Sequence, residues 1–372
     1  MVRARAPRAG VAGTPPRGRP RTAWRDDLTT VLLAAWTTVG LFLDGWAHTN
    51  LSRLETFLTP WHAVFYSGFA ATATWIAWLV ERQHLPGRSW REAVPCGYGL
   101  GVAGVVVFLA GGVGDWAWHT AFGIERDIAA LLSPTHLLLL SGGLLIATSP
   151  LRAAWSSPAP QPHGLRGILP VLLSVTLATS AIAFFFSYLS LFLTTAPAVR
   201  ASEVVAGWRR IDPAVPADLL DQQVGLQRIQ GIASLLLTAL ILVAPVLLLL
   251  RRWRLPPGAV TLLFATVGAL VGAFNEYATW ELSAAAAAAG IVADLLIARL
   301  RPSPERPGAF RAVAALIPAA LLGLYFLAVQ ARFGIGWAVE LWSGVVVFGA
   351  LGGYVLGLLM APAAIPAGED PA

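Results

Sequence analysis

Aspartate and histidine stand at a short, regular spacing in the segment LDGWAHTNLSRLETFLTPWH, which occupies positions 43–62. Asp44 and His48 are four residues apart, so in a helix they lie on one face, one turn apart. The Thr-Pro pair before His62 predicts the start of another helix, because threonine caps helices and proline fits the first helical position. We predict that this carboxylate and these two imidazoles meet at the helix ends and bind a metal ion.

The same pattern occurs a second time in DWAWHTAFGIERDIAALLSPTH, at positions 115–136. Asp115 and His119 repeat the first pair at an offset of 71 residues, and His136 repeats the last histidine at an offset of 74. A Ser-Gly pair begins five residues after the last histidine in both copies. The first four membrane helices are therefore predicted to be a tandem repeat of two helical hairpins, each with its own set of ligands.

Acidic residues between the histidines extend the candidate ligand set. Glu55 lies in the first copy and Glu125 in the second, but their distances to the final histidine differ, and Asp127 competes with Glu125. Three roles remain open for these acids: additional metal ligands, partners that orient the imidazoles, or solvated loop residues.

The sulfur content restricts the metal. The chain has a single cysteine, Cys96, and two methionines, so any metal is held by nitrogen and oxygen. Such ligands suit Cu(II), zinc, iron or manganese. One aspartate and two histidines also leave coordination positions open, which is typical of sites that perform chemistry or exchange their metal.

The composition indicates which elements position these residues. The chain of 372 residues is 56% hydrophobic and 12% charged, with a mean hydropathy of +0.67, and a soluble domain would carry about twice the charge. Apolar runs of about 20 residues recur, long enough to cross a bilayer as helices. We predict an all-α, polytopic integral membrane protein with about ten spans, at 28–47, 60–80, 94–118, 134–151, 168–193, 227–250, 258–279, 282–299, 312–331 and 341–361.

The arginines predict the orientation. Alternate connections, together with the N-terminal tail, carry 19 of the 26 arginines, which predicts a multi-pass protein of the cell membrane with both termini in the cytoplasm and both ligand sets at the outer face. This placement of the positive charge does not indicate nucleic-acid binding. The predicted units are a disordered tail (1–27), the duplicated four-helix metal-site unit (28–151), six further spans with an outer loop at 194–226 that forms a short helix or cap (152–361), and a second disordered tail (362–372).

The Asp-x-x-x-His motif followed by FLTPWH resembles a motif in the C subunit of membrane-bound copper monooxygenases, the methane and ammonia monooxygenases. The resemblance covers about 50 residues. It implies copper within the membrane and possible oxidoreductase activity. Carried over, its ligands are Asp44, His48 and His62, and by repetition Asp115, His119 and His136.

Other functions remain open at this stage. The chain could take up, deliver or transport a metal, it could hold haem b between the four histidines, or the motif could be a structural clamp or a proton relay. A transporter is expected to carry ionisable residues at mid-depth, where Asp294 stands nearly alone, and the nearby Arg299 predicts an intrahelical pair for it. The substrate, the redox partner, partner subunits and the oligomeric state are not determined by the sequence.

Overall fold

A computed structural model describes residues 18–51, 59–123, 127–157 and 164–361 of the chain. These ranges are helical and contain no extended strand, as the sequence predicts. The helices are α1 (Trp24–Asn50), α2 (Pro60–Glu81), α3 (Trp90–Ala93), α4 (Gly99–Phe122), α5 (Asp127–Leu132), α6 (Pro134–Ala147), α7 (Ser149–Trp155), α8 (Gly164–Phe185), α9 (Ala201–Ile211), α10 (Ala217–Leu250), α11 (Ala259–Gly272), α12 (Trp280–Leu300), α13 (Pro307–Arg332) and α14 (Val339–Met360), with 3₁₀ turns at Ser187–Leu189, Ala196–Ala198 and Ala273–Asn275.

Nine helical segments in the described ranges are long and apolar enough to cross a membrane. They are α1, α2, α4, α6 with α7, α8, α10, α12, α13 and α14. The span predicted at 258–279 corresponds to a shorter apolar helix, Ala259–Asn275, which is 17 residues long and falls below that length. The prediction of an all-α polytopic membrane protein is confirmed.

Several helix boundaries differ from the predicted spans by four residues or more. Helix α1 begins at Trp24, four residues before the predicted span and inside the segment assigned to the tail. Helix α10 begins at Ala217 and has 34 residues, so it is about 51 Å long and exceeds the hydrocarbon thickness of about 30 Å. The predicted loop 194–226 therefore contains the short helix α9 and the first turns of α10.

Two helical hairpins carry the candidate ligands, and glycine sets how closely their helices approach. A Cβ on Gly68 of α2 would lie 2.6 Å from the backbone nitrogen of Thr37 on α1. A Cβ on Gly142 of α6 would lie at the same distance from the backbone nitrogen of Phe108 on α4. Only a residue without a side chain permits this contact between backbones, which is a common way for membrane helices to pack.

The remaining helices form the main core against which the hairpins pack. Its buried side chains come chiefly from α8 and from α10 to α13, and α8 is the most buried spanning helix. Helices α1 and α6 both contact α8, so the ligand-bearing hairpins rest on a packed support.

The carboxylate of Asp294 on α12 has a different role from the predicted pair with Arg299. It accepts hydrogen bonds from the backbone N–H groups of Val260 and Thr261, at 3.0 and 3.1 Å, and from the Thr261 hydroxyl at 2.7 Å. Helix α11 begins after Gly258, which has no side chain to cap it. Asp294 therefore satisfies the first turn of α11 from a neighbouring helix.

Candidate metal centre

The first ligand set lies where α1 ends and α2 begins. Oδ2 of Asp44 is 3.7 Å from Nε2 of His48, and Oδ1 is 3.5 Å from Nδ1 of His62. The rings of the two histidines are 5.7 Å apart between centroids. Each of the three residues offers one ligand atom, and these atoms all lie within 4.8 Å of one another, so the set could hold a metal ion.

Local sequence explains how His62 reaches this position. The hydroxyl of Thr59 accepts a hydrogen bond of 3.1 Å from the backbone N–H of His62 and forms a second one of 2.9 Å with its Nδ1. Proline follows at the first helical position. Thr59 therefore caps the helix and also orients the imidazole, so one hydroxyl group serves both the helix start and the candidate site.

The second ligand set lies between the end of α4 and the start of α6. Oδ1 of Asp115 is 3.4 Å from Nε2 of His119 and 3.0 Å from Nε2 of His136. Ser133 repeats the role of the threonine: it accepts from the backbone N–H of His136 at 3.3 Å and contacts its Nδ1 at 2.9 Å. These ligand atoms also lie within 4.8 Å of one another.

The end of α4 orients the ring of His119. Gly123 ends the helix with φ of 82°, a left-handed conformation that glycine adopts without strain. Its carbonyl accepts a hydrogen bond of 3.2 Å from Nδ1 of His119. The backbone thus holds Nδ1, and Nε2 faces Asp115, the arrangement in which a neutral imidazole presents Nε2 to a metal.

Two hydroxyl groups that the sequence reasoning missed also contact Asp115. Tyr66 of α2 donates to Oδ2 at 3.1 Å, and Thr135 of α6 donates to Oδ1 at 3.4 Å. Tyr66 follows His62 by one helical turn, so the four-residue spacing would have placed it on the same face. Its partner on the other hairpin was not predictable from that spacing.

The two carboxylates differ in how their charge is stabilised. The side chain of Asp115 is 1% exposed and receives both hydroxyl groups, whereas that of Asp44 is 15% exposed. The Oδ1 atom of Asp44 is itself buried, and no residue in the described part of the chain donates a hydrogen bond to it. A buried carboxylate oxygen without a partner is costly, and a bound cation would remove that cost.

Both ligand sets line one cavity of about 870 Å³. The cavity begins at the six ligand residues and continues between α1, α2, α4, α6 and α8, as far as Ala34 and Ala147. Most of its wall beyond the ligands is aliphatic and aromatic, including Phe65, Phe69 and Phe108. The structure thus places the two sets at one end of a shared, largely apolar space.

The predicted acids Glu55 and Glu125 lie outside the described residues, as does the side chain of Asp127. Of the other two histidines, His84 lies beyond the far end of α2, where its ring stacks on Trp90 with centroids 3.9 Å apart. His163 lies outside the described residues.

Comparison of the chain with protein-family models, with curated proteins and with solved structures finds no match. The assignment therefore depends on the residues and their geometry. The protein is an all-helical membrane protein that carries two Asp-His-His groups, each of which could bind a metal ion.

Proposed function

We propose that the protein is a membrane metalloprotein that binds two copper ions, one in each Asp-His-His set. The spacing of the ligand atoms carries this proposal. Two atoms that each lie about 2.1 Å from one ion are roughly 3.0–3.4 Å apart in octahedral or tetrahedral geometry. The carboxylate–imidazole distances around Asp115, 3.0 and 3.4 Å, match this spacing, and those around Asp44, 3.5 and 3.7 Å, are longer.

The donor chemistry favours copper among the possible metals. Both sets offer imidazole nitrogen and carboxylate oxygen, which suit Cu(II), zinc, iron and manganese. The resemblance of both motifs to the copper-binding motif of the monooxygenase C subunits selects copper from this group. The unpartnered oxygen of Asp44 supplies an independent reason for a cation in the first set.

Open coordination positions favour an oxidoreductase over a purely structural metal site. Among the described residues each set supplies three protein ligands, and a structural site is usually closed by four. Copper bound in such a set would supply one-electron chemistry to a molecule that enters the cavity. The chain's own part is to orient the imidazoles through Thr59, Ser133 and Gly123, and to keep the site beside an apolar space.

We infer that the two hairpins arose by duplication. The offsets of 71 and 74 residues that relate the ligand motifs also relate the contact of Gly68 with Thr37 to that of Gly142 with Phe108. The helix caps before His62 and His136 agree as well. Helix crossing, capping and ligand placement therefore share one pattern, which supports a single ancestral hairpin.

The arginine distribution supports a cell-membrane protein with cytoplasmic termini and with both ligand sets at the outer face. We also propose that the metal-site unit comprises the helices from α1 to α7, and that the helices from α8 to α14 support it. Glu55 and Glu125 remain candidate additional ligands.

Metal transport and haem binding are less well supported. A path for a hydrated cation needs polar walls, yet below the two sets the cavity is lined by aliphatic, aromatic and threonine side chains. Haem would have to be coordinated on its two faces by a pair of histidines. In each set the carboxylate instead lies within 3.7 Å of both imidazoles, through Oδ1 alone in Asp115 and through one oxygen for each ring in Asp44.

Metal analysis of the purified protein tests the proposal. We expect about two equivalents of copper in the protein as isolated, an electron paramagnetic resonance signal with nitrogen coupling, and no Soret band. The double variant His48→Ala/His119→Ala should lose most of the copper. His84→Ala is the matched control and should retain it, because His84 lies at the far end of α2. Unchanged copper content in the double variant would overturn the proposal.

A further inference from the structure

We propose that the cavity beneath the two ligand sets binds the aliphatic chain of a membrane-derived amphiphile, whose polar end reaches those sets. The contact of the polar end with a metal rests on the proposed metal sites. Binding of the hydrocarbon chain in the cavity does not depend on them. The occupant is defined by its chemistry: a single hydrocarbon chain of about ten to twelve carbons with a small oxygen-containing end group.

Polarity is distributed unevenly along the cavity. All six ligand side chains lie at one end, and the walls further in are formed by residues such as Leu41, Phe65, Phe108 and Leu139. An apolar space that adjoins a polar mouth matches a molecule that is itself apolar along most of its length and polar at one end.

Three threonines in the wall do not change this polarity. Thr38 donates its hydroxyl hydrogen to the carbonyl of Ala34 at 3.0 Å, and Thr72 donates to the carbonyl of Gly68 at 2.8 Å. Thr37 makes the same type of bond at 3.4 Å. Because each hydroxyl bonds to its own helix four residues earlier, its hydrogen is not free for a ligand.

The depth of the cavity sets the length of the chain. The wall formed by α1 extends over ten residues, from Asp44 to Ala34, and the wall formed by α6 extends over eleven, from His136 to Ala147. Each wall is therefore about 15 Å deep. A straight aliphatic chain of about twelve carbons has this length.

Gly143 offers a way to fill the cavity without disturbing the ligands. It lines the cavity seven residues after His136, about two turns further in, and a Cβ built on it meets only the ring of Phe108, at 3.9 Å. A leucine at this position would project into the middle of the space. Gly352 of α14 is the matched control, because a Cβ there meets nothing within 4 Å and the residue is exposed.

The first arm of the test is independent of metal. Protein in lipid nanodiscs is irradiated with a twelve-carbon alcohol that carries a diazirine at the far end of its chain. We expect crosslinks on peptides that contain Ala34 or Ala147, with at least five-fold less labelling in Gly143→Leu and no change in Gly352→Leu. Labelling confined to lipid-facing helices, or equal in both variants, would overturn the proposal.

The second arm tests whether the polar end meets the metal. Copper-loaded protein is titrated with acetohydroxamate and with dodecanohydroxamate, and the spectrum of the metal is recorded. Gly143→Leu should bind acetohydroxamate as the unsubstituted protein does but dodecanohydroxamate at least ten-fold more weakly. Equal binding of the long probe by both proteins would contradict the proposal. If the protein binds no copper, the proposed function fails, and the crosslinking arm still decides whether the cavity binds an aliphatic chain.

Discussion

The phenol of Tyr66 on α2 donates a hydrogen bond of 3.1 Å to Oδ2 of Asp115 on α4, across the junction of the two hairpins. The same ring lies nearly parallel to that of His62, with centroids 6.1 Å apart and an angle of 13° between the planes. One side chain of the first hairpin therefore contacts a ligand of each set. It ties the orientation of the second carboxylate to the position of the first hairpin.

Replacement of Tyr66 by phenylalanine should weaken the second set selectively. The ring and its contact with His62 are retained, but the donor to Asp115 is lost. Loss of such an outer partner typically lowers metal affinity by about ten-fold or more. Chelator competition should show this loss for one of the two bound ions. Tyr354→Phe, at an exposed position of α14, is the control and should leave both affinities unchanged.

Single carboxylate variants should separate the two sites. Asp44→Asn and Asp115→Asn should each remove about one of two metal equivalents, because each aspartate contacts the histidines of its own hairpin. The double variant should lose both. If either single variant loses both equivalents, the two ions form one dinuclear cluster rather than two independent sites.

The caps should affect stability and metal binding together. Thr59→Ala removes the acceptor of the His62 N–H and the partner of its ring. We expect a loss of about 1 kcal/mol in the free energy of unfolding and weaker metal binding in the first set. Thr59→Ser keeps the hydroxyl and should preserve both properties. Thermal unfolding in detergent and chelator competition measure the two effects, and an effect on stability alone would assign Thr59 a purely structural role.

Replacement of Asp294 should destabilise the fold without altering the metal content. Asp294→Ala leaves the N–H groups of Val260 and Thr261 without their partner, at a cost of about 1–3 kcal/mol for each buried donor. Asp212→Ala removes a comparable bond to Ala214 in an exposed loop and should cost much less. Thermal unfolding compares the two variants. Copper loss in Asp294→Ala protein that is still folded would show coupling between the supporting helices and the site.

Cysteine labelling tests the topology inferred from the arginines. In a Cys96→Ser background, Ala214→Cys lies between α9 and α10, and Pro86→Cys lies between α2 and α3. A membrane-impermeant maleimide applied to intact cells should modify the first position and leave the second unmodified. Labelling of the cysteine at position 86 alone would show that the protein has the opposite orientation in the membrane.

The approach of the aspartate and the two histidines within each set was predictable because its signals are local. An aspartate and a histidine one turn apart, and a histidine three residues after a cap, are fixed by helix geometry alone. The contact of Tyr66 with Asp115 and the cap of α11 by Asp294 join residues that are 49 and 34 positions apart. Such contacts depend on how helices pack, which the spacing of residues within one helix does not encode. The extra turns of α10 were missed for a related reason, since its first turns are polar and hydropathy marks only the apolar part of the helix.

At Gly68 and Gly142 the backbones of the two helices of a hairpin are in direct contact, so no flexible side chain separates them at these positions. Elements packed in this way move as whole bodies. Each ligand set belongs to a single hairpin, while the gap between the sets belongs to the junction of α2 with α4, where contact is much sparser. The geometry within each ligand set is thus the stiff coordinate of the proposed site, and the separation of the two sets is the soft one. A molecule that contacts both sets can therefore alter their separation while the geometry within each set is maintained.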